Sequence, residues 1–276
     1  MNHSLMTASV TMGQLQHKLN TVTNNLANSK TEGFKARDAR FSELMFQHIN
    51  NQPVERQEEG RLTPYGIRRG SGARVSQTRV QLEKGPLQPT DRQLDFALPN
   101  DYQFFVVQAN RGGQAQTEYT RKGSFYLQDV DHTGIMRLVT SEGFPVEGKN
   151  GEILIPRDFK SIDLQADGSL FVTRLDGTIV NAGALNVVEV TRPQVLRSVG
   201  DQNFALPNVP GLQQGAIIVP INTAEAKIQQ NVLEQSNVDM TKEISELMQT
   251  QRSYQFNARA ATMADQMSGL INQLRS

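Results

Sequence analysis

The chain of 276 residues contains no cysteine and no tryptophan. Without cysteine it cannot form disulfides, thiolate metal sites or a cysteine nucleophile. Lysine plus arginine and aspartate plus glutamate number 28 each, so no overall positive charge is available to attract nucleic acid or an anionic membrane. We therefore expect no nucleic-acid partner.

Long apolar runs are also missing from the sequence. No stretch approaches the roughly 18 consecutive apolar residues of a membrane-spanning helix. Met1 to Leu19 alternates apolar and polar residues and has neither a basic start nor a continuous apolar segment, which argues against a cleavable secretory signal. These features predict a soluble chain that is either cytoplasmic or exported by another route.

The N-terminal region carries apolar residues at alternating spacings of three and four, the pattern of a heptad seam. The seam positions are Leu5, Ala8, Met12, Leu15, Leu19, Val22 and Leu26. The pattern predicts an amphipathic helix with a narrow apolar stripe that another helix must cover. Asn24, Asn25 and Asn28, followed by Gly33, favour the end of this helix.

The C-terminal region repeats the pattern. Its seam positions are Met240, Ile244, Leu247, Gln251, Tyr254, Ala258, Ala261, Ala264, Met267, Ile271 and Leu274. We predict that the two terminal helices pair as a coiled coil, either within one chain as a helical hairpin or between subunits. Long amphipathic helices at both ends of a chain expose more apolar surface than one monomer readily buries, which favours packing between subunits.

The sequence between the predicted helices changes character. From about Val75 to Val219, short runs of β-branched and aromatic residues alternate with turn signals, which predicts a mainly antiparallel β domain. Asn150-Gly151, Asp167-Gly168 and Asp176-Gly177 are predicted hairpin turns, because glycine readily adopts the positive φ that such turns require.

The segment from Ala36 to Ala73 is rich in glycine and proline, which predicts an extended connector after a short helix around Phe41 to Ile49. The predicted fold is α+β, with long N- and C-terminal heptad helices forming a coiled coil and a central, mainly antiparallel β domain. The predicted regions are 1–35 for the N-terminal coiled-coil helix, 36–75 for the short helix and connector, 76–222 for the β domain and 223–276 for the C-terminal coiled-coil helix.

Motifs for catalysis or ligand binding are sparse. The four histidines form no H-x-x-x-H or H-x-x-E-H pair, and no G-x-S-x-G elbow occurs. Arg69 to Arg74 places glycines between arginines but lacks the G-K-[ST] ending of a phosphate-binding loop, which favours a flexible linker. Aspartates between the strands lack calcium-loop spacing and are better explained as turn residues. We predict no catalytic residue, metal site, cofactor or small-molecule ligand, although distant carboxylate pairs for glycoside hydrolysis stay open.

Four short motifs are more specific than the periodic patterns. Thr23 to Asn28 and Thr31 to Lys35 stand near the start, and Leu233 to Asp239, continued by Met248 to Tyr254, stand near the end. They resemble the terminal signatures of the flagellar rod, hook and hook-associated protein family. The residues that carry this likeness are Asn24, Asn25, Leu26, Ala27, Asn28, Thr31, Gly33, Phe34, Glu234, Ser236, Asn237 and Val238.

Two motifs in the middle of the chain agree with the terminal ones. Tyr119 to Phe125 and Leu138 to Gly143 resemble the β-domain core of the rod and hook proteins, so the likeness covers nearly the whole chain. The chain departs from the family's Gly-x-Gly-Phe-Phe stretch at Pro99 to Phe105. This departure leaves the position within a rod open.

The resemblance implies a structural subunit of the flagellar basal-body rod that is needed for motility and has no catalytic activity. It implies export of the unfolded chain by the flagellar type III apparatus and polymerisation beyond the cytoplasmic membrane, with copies of itself and neighbouring rod and hook subunits as partners. In such proteins the terminal helices form an inner coiled-coil layer, so the resemblance gives the seam positions assembly roles.

Two other classes of protein remain alternatives. A β-rich enzyme or carbohydrate-binding module could use terminal helices only to dimerise. A phage-tail or adhesin-like fibre protein would also polymerise, and the two terminal signatures argue against it.

Overall fold

The computed structural model describes residues 3–43, 47–49, 67–69, 73–111, 113–130, 134–207, 214–221 and 223–275. Its contacts divide the chain into two units. The helical unit comprises Met1–Leu26, Arg37–Arg79 and Met240–Ser276, and the β unit comprises Ala27–Ala36 and Val80–Asp239. The N-terminal signature therefore straddles the two units.

Within the described residues, the helices are α1 (His3–Ala27), α2 (Gln214–Ile217), α3 (Thr223–Ala226) and α4 (Met240–Arg275). The first strands are β1 (Arg37–Glu43), β2 (Gln47–Ile49), β3 (Ile67–Arg69), β4 (Ala73–Val80), β5 (Leu87–Pro89), β6 (Phe96–Ala97), β7 (Gln103–Arg111), β8 (Gln114–Thr120), β9 (Tyr126–Val130), β10 (Ile135–Val139) and β11 (Glu147–Gly148). The remaining strands are β12 (Gly151–Glu152), β13 (Leu154–Pro156), β14 (Phe159–Leu164), β15 (Ser169–Arg174), β16 (Ile179–Ala184), β17 (Val187–Val190), β18 (Arg197–Gly200), β19 (Asn203–Ala205), β20 (Ile218–Pro220), β21 (Gln229–Gln230) and β22 (Val232–Glu234).

The predicted helices at both ends of the chain are confirmed as α1 and α4. Gln16 Nε2 donates to the Tyr254 hydroxyl at 3.2 Å, whereas Asn25 Nδ2, farther along α1, donates to Glu243 Oε1 at 3.1 Å. Because the partner number falls in α4 as it rises in α1, the two helices run antiparallel. No described helix is apolar over a sufficient length to cross a lipid bilayer.

The connector forms strands rather than the predicted short helix. Around Phe41 to Ile49, the described residues belong to β1 and β2, while residues 44–46 lie outside the described part, so the helix prediction is wrong. Strand β1 pairs with β4, and β2 pairs antiparallel with β3 in the register Gln47 opposite Arg69. These partners lie farther along the chain, so the local pattern of Phe41 to Ile49 does not reveal them.

The β unit is built around a six-stranded sheet in the order β18-β19-β8-β7-β17-β20. Two three-stranded sheets, β13-β10-β9 and β14-β15-β16, accompany it. The strand pairings within these three sheets are antiparallel, which confirms the predicted central antiparallel domain.

Strand β7 packs apolar side chains on both of its faces. Phe105 and Val107 belong to one buried cluster, whereas Phe104 and Val106 belong to a second. Burial on both faces explains why this strand is a continuous apolar run rather than an alternating one. In the first cluster, the ring of Phe105 meets that of Phe125 edge-on with 5.3 Å between centroids.

The three predicted hairpin turns are confirmed. Gly168 and Gly177 adopt φ values of 79° and 83° between the paired strands, and Gly151, at the start of β12, adopts a φ of 115°. Asp167 Oδ1 accepts from the Ser169 backbone N–H at 2.9 Å, and Asp176 Oδ1 accepts from the Thr178 N–H at 2.8 Å. These carboxylates therefore stabilise the turns, as the sequence predicted.

Candidate functional site

The predicted seam residues differ widely in how far the helical unit buries them. Ala8, Val22 and Ala264 are buried. Half-buried positions are Leu5, Met12, Leu15, Leu19, Leu26, Leu247, Tyr254, Ala258 and Ala261. Met240, Ile244, Gln251 and Met267 are exposed, and the side chains of Ile271 and Leu274 lie outside the described part. The prediction that every seam position packs in a coiled coil stays untested.

Helix α4 contacts α1 on one side and carries exposed apolar side chains elsewhere. Glu243, Glu246 and Tyr254 contact α1, whereas seven large apolar side chains of the same helix are exposed. The exposed set is Met240, Ile244, Met248, Phe256, Met263, Met267 and Leu270. We call these seven residues the outer α4 face. Its members recur mostly at spacings of three, four or seven, so they extend along one side of the 36-residue helix.

The β unit contains a buried ionic cluster formed by Lys35, Arg121 and Glu234. The three side chains are 1%, 0% and 1% exposed. Lys35 Nζ lies 2.6 Å from Glu234 Oε1, and Arg121 NH2 lies 2.7 Å from Glu234 Oε2. The charged groups come from the N-terminal signature, the middle motif and the C-terminal signature, so three motifs that are distant in sequence meet at one carboxylate.

Arg121 also binds the backbone of the loop that precedes β7. Its guanidinium donates to the carbonyl oxygens of Leu98 at 3.1 Å, Asp101 at 3.2 Å and Gln103 at 2.8 Å, and also to that of Asn100. The loop occupies the stretch where the sequence departs from the family's glycine-rich pattern. Arg121 thus supplies donors to four backbone carbonyl groups of this loop.

Backbone hydrogen bonds tie the same chain segments together around the ionic cluster. The Gly33 N–H donates to the Glu234 carbonyl at 2.8 Å, and the Ala36 N–H donates to Asn237 Oδ1 at 2.7 Å. Asn237 Nδ2 donates to the carbonyls of Gln81 and Glu83, each at 2.9 Å. The Asn237 amide therefore bridges the segments 33–36 and 81–85.

Close backbone packing at the cluster requires glycine at position 85. A Cβ atom added to Gly85 would lie 1.9 Å from the Gln235 carbonyl oxygen. The Gly85 N–H also donates to Glu234 Oε1 at 2.9 Å. The absence of a side chain at this position lets the segment 81–85 reach the carboxylate.

The electrostatics of the cluster are unequal. Burial lowers the pKa of Lys35 from 10.5 to about 8, because desolvation and repulsion by Arg121 outweigh attraction by Glu234. The two cations and the Glu234 carboxylate leave one positive charge, which the Asp101 carboxylate partly offsets at Lys35. The Lys35 ammonium is therefore easier to deprotonate than an exposed lysine, because its pKa is lowered.

The helical unit has a smaller polar cluster around Asn25. This side chain is 1% exposed, and it accepts from the Arg37 N–H at 3.0 Å and donates to the Arg37 carbonyl at 2.8 Å. It also donates to Glu243. Burial raises the pKa of Glu243 above its ordinary value. Asn25 thus links the end of α1 to the start of β1 and to α4.

The other signature residues have distinct surroundings. Phe34 and Ser236 are buried, and Ser236 Oγ accepts from the Val238 N–H at 3.3 Å. Thr31 donates to Asn28 Oδ1 at 3.2 Å in the turn after α1. Leu26 is half-buried, whereas Asn24 and Ala27 are exposed.

Lys35 and Arg121 were not predicted as partners of Glu234. Both were part of motifs, but nothing in their spacing indicates which carboxylate they meet. Residue type gave no signal either, because lysine, arginine and glutamate are mostly exposed in proteins.

An open cleft of about 310 Å³ lies in the β unit between the β11–β12 hairpin and the β15–β16 hairpin. It is lined by Asn150, Glu152, Ser169 and Asn181 among others, and Glu152 is already paired with Arg137 at 3.2 Å. Among the described lining residues none is aromatic, so the cleft offers no ring on which a sugar could stack. In the described part of the chain, no group of three or more potential metal ligands occurs.

Family models match three parts of the chain. The model described as "Flagella basal body rod protein" matches residues 5–35, and that for the D1 domain of the flagellar hook proteins FlgE, FlgF and FlgG matches residues 102–172. The model described as "Flagellar basal body rod FlgEFG protein C-terminal" matches residues 229–274. These spans include Lys35, Arg121 and Glu234.

Full-length relatives agree with the family models. The chain is 40% identical over 280 residues to the flagellar hook-basal body complex protein FlhP of Bacillus subtilis, with 100% of both chains covered. It is 33% identical to the flagellar basal-body rod protein FlgG of Buchnera aphidicola from Acyrthosiphon pisum, with 94% of each chain covered. It is 30% identical to FlgG of Bacillus subtilis, with 96% of each chain covered.

Proposed function

Because this chain belongs to the flagellar basal-body rod and hook protein family, we propose that it is a structural subunit of the flagellar basal-body rod. It lies in the basal body outside the cytoplasmic membrane, and it assembles with copies of itself and with other basal-body components. Its work is mechanical, and the proposal assigns it no catalytic step.

Family membership carries the identity of the assembly, and the outer α4 face is the single structural observation that supports polymerisation. A 36-residue helix is about 54 Å long, and Phe256, Met263 and Met267 on it are 73%, 57% and 60% exposed. Seven exposed apolar side chains on one helix are more typical of an assembly surface than of a free monomer. Helices of neighbouring copies are the proposed cover, in a coiled-coil layer that includes the predicted seam positions.

The regions of the chain divide this work. Helices α1 and α4 form the polymerising layer, residues 36–75 connect it, and the β unit forms the outer body. The region predicted as a helix from residue 223 begins with α3, β21 and β22 of the β unit, and α4 starts only at Met240. The signature residues hold the chain path where these regions meet, through Asn25 in the helical unit and through Glu234 and Asn237 in the β unit. The chain reaches its site unfolded through the flagellar type III export apparatus.

The experiment combines a clean deletion strain of the source bacterium with complementation by variants. The wild-type chain should restore swimming and should be detected by immunoblotting in purified hook–basal bodies. Phe256→Ser combined with Met263→Ser should abolish both, because polar groups replace two apolar contacts between copies.

The matched control is Gln255→Ser combined with Gln266→Ser, which changes two exposed polar residues of the same helix. This control should swim and incorporate normally. Absence of the wild-type chain from hook–basal bodies, together with normal swimming of the deletion strain, would refute the proposed function.

A further inference from the structure

The Glu234 carboxylate receives donors from three separate parts of the β unit. Oε1 accepts from Lys35 Nζ at 2.6 Å and from the Gly85 N–H at 2.9 Å, and Oε2 accepts from Arg121 Nε at 2.8 Å. We propose that Glu234 is the hub of a clasp, in which its negative charge is needed to dock the segments 33–36, 81–85 and 98–103 as long as Lys35 and Arg121 are both present. The inference does not depend on polymerisation.

The first step of the argument concerns charge. Lys35 and Arg121 are both buried, and Glu234 is the carboxylate that both of them contact. Without that negative charge the two cations would be left near each other in a medium of low polarity, where an uncompensated ion is strongly unfavourable. Each cation would move to water and take its own segment with it.

The second step concerns what each cation holds in place. Lys35 Nζ also donates to the Glu83 carbonyl at 2.7 Å, so its departure loosens both 33–36 and 81–85. Arg121 holds the carbonyls of Leu98 and Gln103, so its departure loosens the loop before β7. Loss of one carboxylate therefore affects three segments.

The clasp is asymmetric, because removal of the Lys35 side chain leaves each of its acceptors with another hydrogen-bond donor. Glu234 would keep Arg121 and the Gly85 N–H, and the Glu83 carbonyl would keep Asn237 Nδ2. The Glu234 carboxylate is thus the hub. The charge of Lys35 is the reason that docking of 33–36 depends on this carboxylate.

The clasp also links positions that are far apart along the chain. Lys35 and Glu234 are separated by 199 residues. The N-terminal segment therefore cannot dock in the β unit before the C-terminal signature has joined the fold. Docking of the segment 33–36 therefore depends on the C-terminal signature being in place in the β unit.

Hydrogen exchange of the full-length free chain at neutral pH tests the clasp. In Glu234→Gln, exchange should accelerate about tenfold or more at once in peptides covering 33–36, 81–85 and 98–103, since hydrogen bonds to charged groups are lost together. The β15–β16 hairpin, residues 169–184, should keep its protection. Lys35→Met alone should leave all of these peptides within about twofold of wild type.

The double variant Lys35→Met with Glu234→Gln separates the clasp from simple loss of stability. Because the double variant has no buried lysine without a carboxylate partner, protection of 33–36 and 81–85 from hydrogen exchange should return most of the way to that of wild type. Acceleration confined to peptides around residue 234 in Glu234→Gln would overturn the proposal. Loss of protection in the β15–β16 hairpin of both the single and the double variant would overturn it as well.

Discussion

Phenylalanine shows the contrast between the two units most clearly. In the β unit Phe96, Phe104, Phe105 and Phe125 are each 0% exposed, whereas Phe256 of the helical unit is 73% exposed. Charged groups show the same contrast. The side chains of Lys35 and Glu234 are each 1% exposed. Those of Lys18 and Glu246, which pair at 3.4 Å between α1 and α4, are 23% and 32% exposed.

The difference teaches where each unit finds its stability. The β unit buries two apolar clusters and pairs its buried ions internally, although Leu175 and Ile179 are 72% and 68% exposed, so its free energy of unfolding depends mainly on internal contacts. The helical unit leaves the outer α4 face to solvent, so its stability in the functional state depends on what covers that face. Substitutions should separate the two cases.

The largest effect should follow from Arg121→Met. The variant removes the guanidinium that serves Glu234 and four backbone carbonyls, and it leaves the buried Glu234 with Lys35 and the Gly85 N–H. We expect the β unit to lose about 3–5 kcal/mol of unfolding free energy. Urea unfolding followed by circular dichroism measures it, with Arg157→Met as the control because that side chain is 72% exposed. Equal midpoints for the two variants would contradict the prediction.

Gly85→Ala should have the next largest effect. Its Cβ would overlap the Gln235 carbonyl oxygen, which is backbone and has little freedom to move. A loss of about 1–3 kcal/mol is expected in the same urea measurement. Gly215→Ala is the matched control in the β unit, because a Cβ there meets no atom within 4 Å. A midpoint for Gly85→Ala that matches this control would show that the segment can shift at no cost.

The pH dependence of the β unit should reveal Lys35. Its pKa is about 8 in the folded chain and 10.5 ordinarily, so between these values the unfolded chain binds more protons than the folded one. Stability should therefore rise with pH, by about 2 kcal/mol between roughly pH 7.5 and 9.5. Comparison with Lys35→Met isolates this contribution, because the variant should lack the rise. If the unfolding free energy of the wild-type chain changed with pH in the same way as that of the variant, the low pKa of Lys35 would be contradicted.

The smallest effect on the free chain should come from the outer α4 face. Phe256→Ser with Met263→Ser should change the unfolding free energy of the free chain by no more than about 0.5 kcal/mol per site, since both side chains are exposed. Val22→Ala, on the buried side of the helical unit, should cost more because its side chain is 3% exposed. The reverse ranking in thermal unfolding of the monomer would show that the outer face is covered within one chain.

Parts of this fold could be predicted because their signals are local. The three/four spacing that ends at Leu26, and the one that begins at Met240, predict helices, since a period near 3.6 places those residues on one side. The turns at Gly151, Gly168 and Gly177 could be predicted because positive φ favours glycine. The short helix around Phe41 was predicted wrongly, because the strands that pair with this segment lie outside any local window.

The sequence by itself therefore determined the terminal helices, the antiparallel β domain, the hairpin turns and the family signatures. Tertiary structure alone decided that Lys35, Arg121 and Glu234 meet, since 199 and 113 residues separate the two cations from the carboxylate. It also decided which side of α4 faces α1 and which side stays open. The physical reason is that periodicity and turn chemistry act between neighbours, whereas burial of a charge depends on which distant segments cross at the same point.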